Sequence, residues 1–246
     1  MVGKMKNIAL QLYSVKDFTE KDFIGTIQKI AGYGYTGVEF AGYGGLTAAE
    51  LKNLLVQTGL AAHGAHVGYE KLTSNLDGEI EYARMAGVKY IVCPHADIKT
   101  KDDALRISEE FKKIIEKCKA NGLGFAYHNH AHEFNKDSGE FLLDILYDNT
   151  PGLDMELDVY WVAYAGVDVF EYMKKFNGRL PLIHLKEMAF DKTNVDIGRG
   201  ILDFPEIIRT AKELGTRIFI VEQESGNADQ MTSAQSNVEY LSKIPL

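Results

Sequence analysis

The sequence predicts an α/β fold, a closed (β/α)8 barrel with a parallel eight-stranded core, and three observations predict it. Short β-rich runs alternate with longer amphipathic stretches from one end of the chain to the other. Eight such runs are present, with no polar linker or low-complexity tract between them. The turn after the first run, QLYSVKDF, lacks the GxGxxG of a doubly wound dinucleotide-binding sheet, the competing architecture. The chain has 246 residues, close to the roughly 250 typical of one such barrel, so residues 1–246 are read as a single barrel domain.

In order, strands are expected over 7–12, 36–40, 60–66, 89–93, 123–130, 154–159, 180–186 and 217–222. The clearest helices are expected over 21–33, 47–57, 75–86, 102–121 and 204–214. In the fourth of these, Leu105, Ile107, Phe111, Ile114, Ile115 and Cys118 recur at helical spacing, with Lys and Glu on the remaining face. Gly59, Gly87, Gly122 and Gly215 each stand between a helix and the next strand, where a glycine can take the left-handed cap. Thr47 and Asp102 are expected to cap helix starts.

Charge and cysteine usage narrow the function classes. Lys and Arg total 27 against 35 Asp and Glu, a formal net charge of -8, which argues against a broad phosphate-backbone footprint and so against nucleic acid as a partner. Cys93 and Cys118 are the only cysteines and lack CxxC spacing, so a reducing, cytoplasmic setting is expected. The apolar stretch near the start is only a few residues long and is broken by Gln11. No run approaches the roughly 18 apolar residues of a membrane span, and no membrane association is expected.

Function is expected at the C-terminal strand ends, where barrels of this kind carry their active sites. The polar residues there are Gln11, Glu39, His66, His95, the YHNHAHEF cluster (His128, His130, His132, Glu133), Glu156 and Asp158, His184 and Lys186, and Glu222 and Glu224. Alternate strand residues share a face, so Glu156 and Asp158, His184 and Lys186, and Glu222 and Glu224 form same-face pairs in otherwise apolar runs. A charge facing the helix layer would be costly, so these pairs should point into the barrel. Asp158, His184 and Glu222, on three consecutive strands, match the oxygen and nitrogen chemistry of a divalent-cation site rather than of ion pairs that merely close the barrel. His63, inside the third run, reads as a core histidine, and Cys93 as a small hydrophobe. Trp161, the only tryptophan, fits either the core or an apolar wall for a sugar. DIGRGILDF (196–204) reads as a tight turn entering a helix, with Asp203 as cap and Pro205 in the first turn, and also as a loop that brings Arg199 over the barrel mouth.

These residues in this order resemble the xylose-isomerase-like superfamily of TIM barrels, often labelled sugar phosphate isomerase/epimerase, in its YHNH-bearing branch. The resemblance rests on QLYSVKD, VEFAGYGGLT, AHVGYEKL, YHNHAHEF, LDVYWV, HLKE, GRGILDF and VEQE, and spans nearly the whole chain. It implies a divalent cation, Mn, Mg, Co or Zn, held by a fifth-strand Glu with Asp158, His184 and Glu222. Here the sequence departs from the epimerase pattern: the expected strand Glu falls near His128 or His130, and the nearest carboxylate is Glu133. Either Glu133 reaches the metal from a bent strand end or a histidine replaces it, with Glu133 preferred.

The implied activity is isomerisation or epimerisation of a ketose, keto-sugar or inositol derivative, by proton abstraction next to a carbonyl through a metal-stabilised enediolate. Proton transfer falls to Glu222 with His128, His130 or Lys186, and substrate contacts to His66, His95, Trp161 and Arg199. The same site could expel a β-leaving group, making a lyase or dehydratase the alternative. An endonuclease IV-like phosphodiesterase and a metal-free sugar-binding barrel are the more distant ones. The expected partner is a small carbohydrate, and similar barrels commonly form homo-oligomers.

Overall fold

Eight parallel strands close into a barrel in sequence order in the computed structural model, which describes residues 7–224 and 229–244. The segment before Asn7, part of the first apolar stretch, lies outside the described residues. The strands are β1 (Ile8–Gln11), β2 (Gly37–Phe40), β3 (Ala61–His66), β4 (Tyr90–Cys93), β5 (Gly124–His128), β6 (Asp154–Asp158), β7 (Leu182–Leu185) and β8 (Ile218–Val221). β1 pairs with both β2 and β8, which closes the ring. Every strand matches an expected run, trimmed by one to three residues at its ends.

Period-2 alternation sorts each strand between two environments. Outward residues such as Leu10, Phe40, Phe125, Met155 and Phe219 belong to the large core beneath the helices. Inward residues, among them Ala9, Val92, Ala126, Leu182 and Ile220, form a separate small apolar layer inside the barrel. Above that layer the inward positions turn polar. Register aligns Gln11 with Glu39, His128 with Glu156, and Asp158 with His184. The same-face pairs therefore lie inside the barrel, where their side chains meet one another instead of the helix layer.

The helices follow their sequence signals. Lys101–Ala120 buries Ile107, Phe111, Ile114 and Cys118, the centre of the expected stripe. Thr47 caps Ala48–Thr58 with a full capping box. Asp102 does not cap its helix: Thr100 does, in a box with Asp103. Asp203 caps Phe204–Glu213, with Pro205 in its first turn. Gly59, Gly87, Gly122 and Gly215 all have positive φ. The short helices Tyr69–Ser74, Leu142–Asp148, Val159–Tyr164 and Val169–Lys175 and the later helix Gln230–Leu241 complete the wall. No helix among the described residues is long and apolar enough to cross a membrane.

Candidate metal centre

The polar ends of β5 to β8 converge on one buried group. His128, Asp158, His184 and Glu222 each offer a ligand atom within 4.8 Å of the others. His128 Nε2 lies 3.5 Å from Asp158 Oδ2 and 3.6 Å from Glu222 Oε2, while His184 Nδ1 lies 2.9 Å from Glu222 Oε2. Asp158 is positioned by its neighbours: its backbone N–H donates to Asn129 Oδ1, and its Oδ1 accepts from the N–H groups of Tyr160 and Trp161 as cap of Val159–Tyr164. That leaves Oδ2 buried without a hydrogen-bond partner, as are both ring nitrogens of His128.

Orphaned polar atoms at zero or near-zero exposure are costly unless something else satisfies them. Two ligands about 2.0–2.2 Å from a shared ion, at angles of about 90–110°, stand roughly 2.8–3.6 Å apart. The observed spacings fall in that window. Two imidazoles and two carboxylates are a donor set for Zn, Mn or Co, so these residues fit the divalent ion that the sequence leads one to expect.

Glu133, the expected fifth-strand ligand, is not part of this group. β5 stops at His128, and the chain turns into a 3-10 segment, His132–Phe134, that carries Glu133 away from the strand axis. There Glu133 is fully buried, with Oε1 accepting from the Tyr127 hydroxyl at 2.6 Å and Oε2 from the His130 N–H at 2.9 Å. Its two oxygens are used in shaping the loop. The histidine at the strand end, His128, stands beside Asp158 and Glu222 in its place.

A second group shares His184. Glu39, His66, Glu156 and His184 also bring ligand atoms within 4.8 Å of one another. The sequence marks Glu39 and Glu156 as polar strand residues but gives them no role. Their signal was a carboxylate in the middle of the apolar runs GVEF and DMELD, both fully buried here.

The remaining expected residues divide. A cavity of about 510 Å³ opens over the barrel, and its lining includes His66, His95, His128, His130, Trp161 and Glu222. Tyr13 and Glu224 line it as well, neither of them assigned a part there from the sequence. The His130 ring lies between those of His128 and Trp161, at 5.0 and 5.4 Å. Lys186 is buried beside the cavity, with Nζ 2.6 Å from Glu224 Oε1 and 4.7 Å from the Trp161 ring centre. Arg199 is exposed and is not among the cavity-lining residues.

Glu187 holds the loop around Arg199: its carboxylate accepts from the N–H groups of Met188, Gly198 and Leu202. A Cβ on Gly200 would sit 2.2 Å from Met188 O. His63 packs at the opposite end of the barrel, near Lys89 and Arg217.

Electrostatics follow the geometry. Burial works against charge on His66, but Glu39 and Glu156 outweigh it and push its pKa up to about 10. Burial likewise opposes charge on His128 and His184, while the neighbouring carboxylates raise both. Burial would raise Glu222, yet Lys186, His128 and His184 hold it well below the usual carboxylate range. His130 is the exception: burial, reinforced by His128, drives it down to about 2 and keeps it neutral. Four buried carboxylates in one barrel require positive charge nearby, which protonated imidazoles or bound cations can supply.

Residues 27–244 match the family described as the xylose isomerase-like TIM barrel. Among solved structures, the chain is similar to a sugar phosphate isomerase/epimerase from Parabacteroides distasonis, at 26% identity and TM-score 0.85, covering 99% of each chain. A second sugar phosphate isomerase/epimerase from that organism has 24% identity and TM-score 0.82, over 100% of this chain and 96% of that one. At 16% identity and TM-score 0.71, 3-keto-D-glucoside 4-epimerase from E. coli shares the fold over 96% of this chain and 99% of its own. No curated protein matches the chain.

Proposed function

The chain belongs to the xylose isomerase-like TIM-barrel family, and from that premise we propose that residues 1–246 form one catalytic unit, a divalent-metal-dependent isomerase or epimerase of a keto-sugar, ketose or inositol derivative. The observation that carries this reading is the convergence of His128, Asp158, His184 and Glu222 beside a cavity large enough for a monosaccharide-sized ligand. When bound, the cation would polarise the substrate carbonyl and stabilise the enediolate that follows proton loss. His128, Asp158, His184 and Glu222 would hold it.

This chain's own groups account for the remaining steps. Glu222, kept ionised by Lys186 and the two histidines, accepts the proton from the carbon next to the carbonyl. His130, neutral and lining the cavity with a buried, unpartnered Nδ1, holds the second proton position. Lys186 donates to an oxygen of the substrate, and its pairing with Glu224 fixes its direction. Trp161 supplies an apolar face for the ring, and His66 and His95 donate to hydroxyl groups. The cavity wall carries only a few cationic groups, which favours an unphosphorylated substrate.

Elimination from the same carbanion is the second reading, favoured by the additional imidazole of His95 on the cavity wall, placed to protonate a leaving group. The test is a screen of ketoses, inososes and 3-keto-glycosides with the protein loaded with Mn, Mg, Co or Zn. Turnover of one class, lost in Glu222→Gln with the fold intact, supports the reading. Substrate-independent behaviour of wild type and variant across the whole screen contradicts it.

A further inference from the structure

Beneath the proposed catalytic centre, the geometry points to a second divalent-cation site formed by Glu39, His66, Glu156 and His184, buried but for the edge of His66 that meets the cavity, and suited to zinc. Four atoms make a ring of alternating nitrogen and oxygen. His66 Nε2 lies 2.8 Å from Glu156 Oε2 and 3.2 Å from Glu39 Oε2, and His184 Nε2 lies 2.8 Å from Glu39 Oε2 and 3.3 Å from Glu156 Oε2. All four sides fall within the roughly 2.8–3.6 Å expected of ligands sharing one ion.

Hydrogen bonding alone explains less. Each Nε2 carries at most one hydrogen, so one N–H per ring satisfies the two 2.8 Å contacts and leaves the 3.2 and 3.3 Å approaches without a proton. The second oxygens of both carboxylates, Glu39 Oε1 and Glu156 Oε1, are buried without partners, and both residues are 0% exposed. An ion between the four ring atoms would satisfy the two approaches that lack a proton.

The surroundings are built to hold the set. The two imidazoles stack with ring centres 5.6 Å apart and planes within 6°, presenting the same nitrogen to the same pair of oxygens. Gln11 Nε2 donates to Glu39 Oε2 at 2.9 Å, the kind of supporting bond that orients a metal ligand. Gly64 supplies the space: a Cβ there would stand 2.2 Å from Glu39 Oε1. With two nitrogen and two oxygen ligands from the chain and no open position, the site resembles structural zinc more than catalytic zinc.

His184 connects the two centres, with Nδ1 toward Glu222 and Nε2 toward Glu39. Filling both takes the ring to its imidazolate form, the proton leaving to solvent as the second cation enters. The inner site does not depend on the reaction assigned to the outer one.

The test is anomalous scattering at the zinc edge from crystals of the full chain grown after zinc loading and dialysis. A peak between Glu39, His66, Glu156 and the Nε2 side of His184 is expected, and its absence overturns the proposal. A peak beside Asp158 reports separately on the proposed function, so the two readings fail independently. In solution, Glu39→Gln should retain one equivalent of zinc fewer than wild type by elemental analysis. Equal stoichiometry in the folded variant overturns the proposal as well.

Discussion

His128 Nε2 stands 3.5 Å from Asp158 Oδ2 and 3.6 Å from Glu222 Oε2, and neither His128 Nε2 nor Asp158 Oδ2 makes a hydrogen bond. Two buried groups of opposite character facing each other across that gap are arranged for something between them. Asp158→Ala and His128→Ala should therefore each lower affinity for Mn or Zn by at least about 100-fold, taking loss of a direct ligand to exceed loss of a supporting one. Isothermal titration on variants with native circular dichroism checks this, and wild-type affinity in either would remove the residue from the ligand set.

Glu133 provides the contrast. Its oxygens serve Tyr127 and the His130 backbone, so Glu133→Gln should cost about 1–3 kcal/mol of stability through one mismatched hydrogen bond and leave metal stoichiometry unchanged. Denaturant unfolding and elemental analysis of the same sample read both effects. Loss of metal with stability preserved would restore Glu133 as a ligand.

Glu133 also shows what the sequence could and could not convey. All eight strands were legible because each is a short, buried, β-rich run, and Asp158, His184 and Glu222 were legible because β6, β7 and β8 carry them straight to the barrel mouth. Strand parity says nothing beyond the strand's end. β5 stops at His128, and the 3-10 turn that follows carries Glu133 back onto the Tyr127 hydroxyl and the His130 N–H, a loop conformation that strand periodicity does not encode. Pairing of Glu39 with His184 is equally hidden, because 145 residues separate them and only barrel closure brings them to 2.8 Å. Around Arg199 the turn reading is visible in the packing of Gly200 against Met188 and the bonds to Glu187, while the side chain itself is exposed.

Gly200→Ala should accordingly destabilise the chain by about 1–3 kcal/mol, as overpacking against fixed backbone does. Arg199→Ala should leave turnover within about twofold, since a surface side chain away from the cavity has little to lose. Thermal unfolding and steady-state kinetics separate the two. A large loss of turnover in Arg199→Ala with stability intact would place the arginine in the site.

His63 predicts a pH dependence of stability. Burial, with Lys89 nearby, depresses its pKa to about 4 in the folded chain, against about 6.5 when unfolded. The unfolded state therefore binds the proton first. The stability it contributes is complete above about pH 6.5 and is lost as pH falls toward 4, by up to about 3 kcal/mol at about 1.4 kcal/mol per pKa unit. Urea unfolding of wild type and His63→Gln between pH 7 and 4.5 should show a difference that shrinks as pH falls. A difference constant with pH would mean that His63 is not buried as a neutral ring.

Trp161, the only tryptophan, lines the cavity beside Lys186. Binding of a keto-sugar should change its fluorescence, and Trp161→Ala should raise KM about tenfold with a smaller change in kcat, as expected for a group that binds substrate and transition state alike. An unchanged KM would move the sugar face elsewhere in the cavity.

The measurement closest to the central claim is solvent exchange at the carbon next to the carbonyl. With metal-loaded protein in D2O and a keto-sugar identified by the screen, proton NMR should show deuterium entering that position, with exchange abolished in Glu222→Gln and in Asp158→Ala. Conversion of substrate with no deuterium at that carbon in either substrate or product, or exchange that persists undiminished in Glu222→Gln, would contradict proton abstraction by this site.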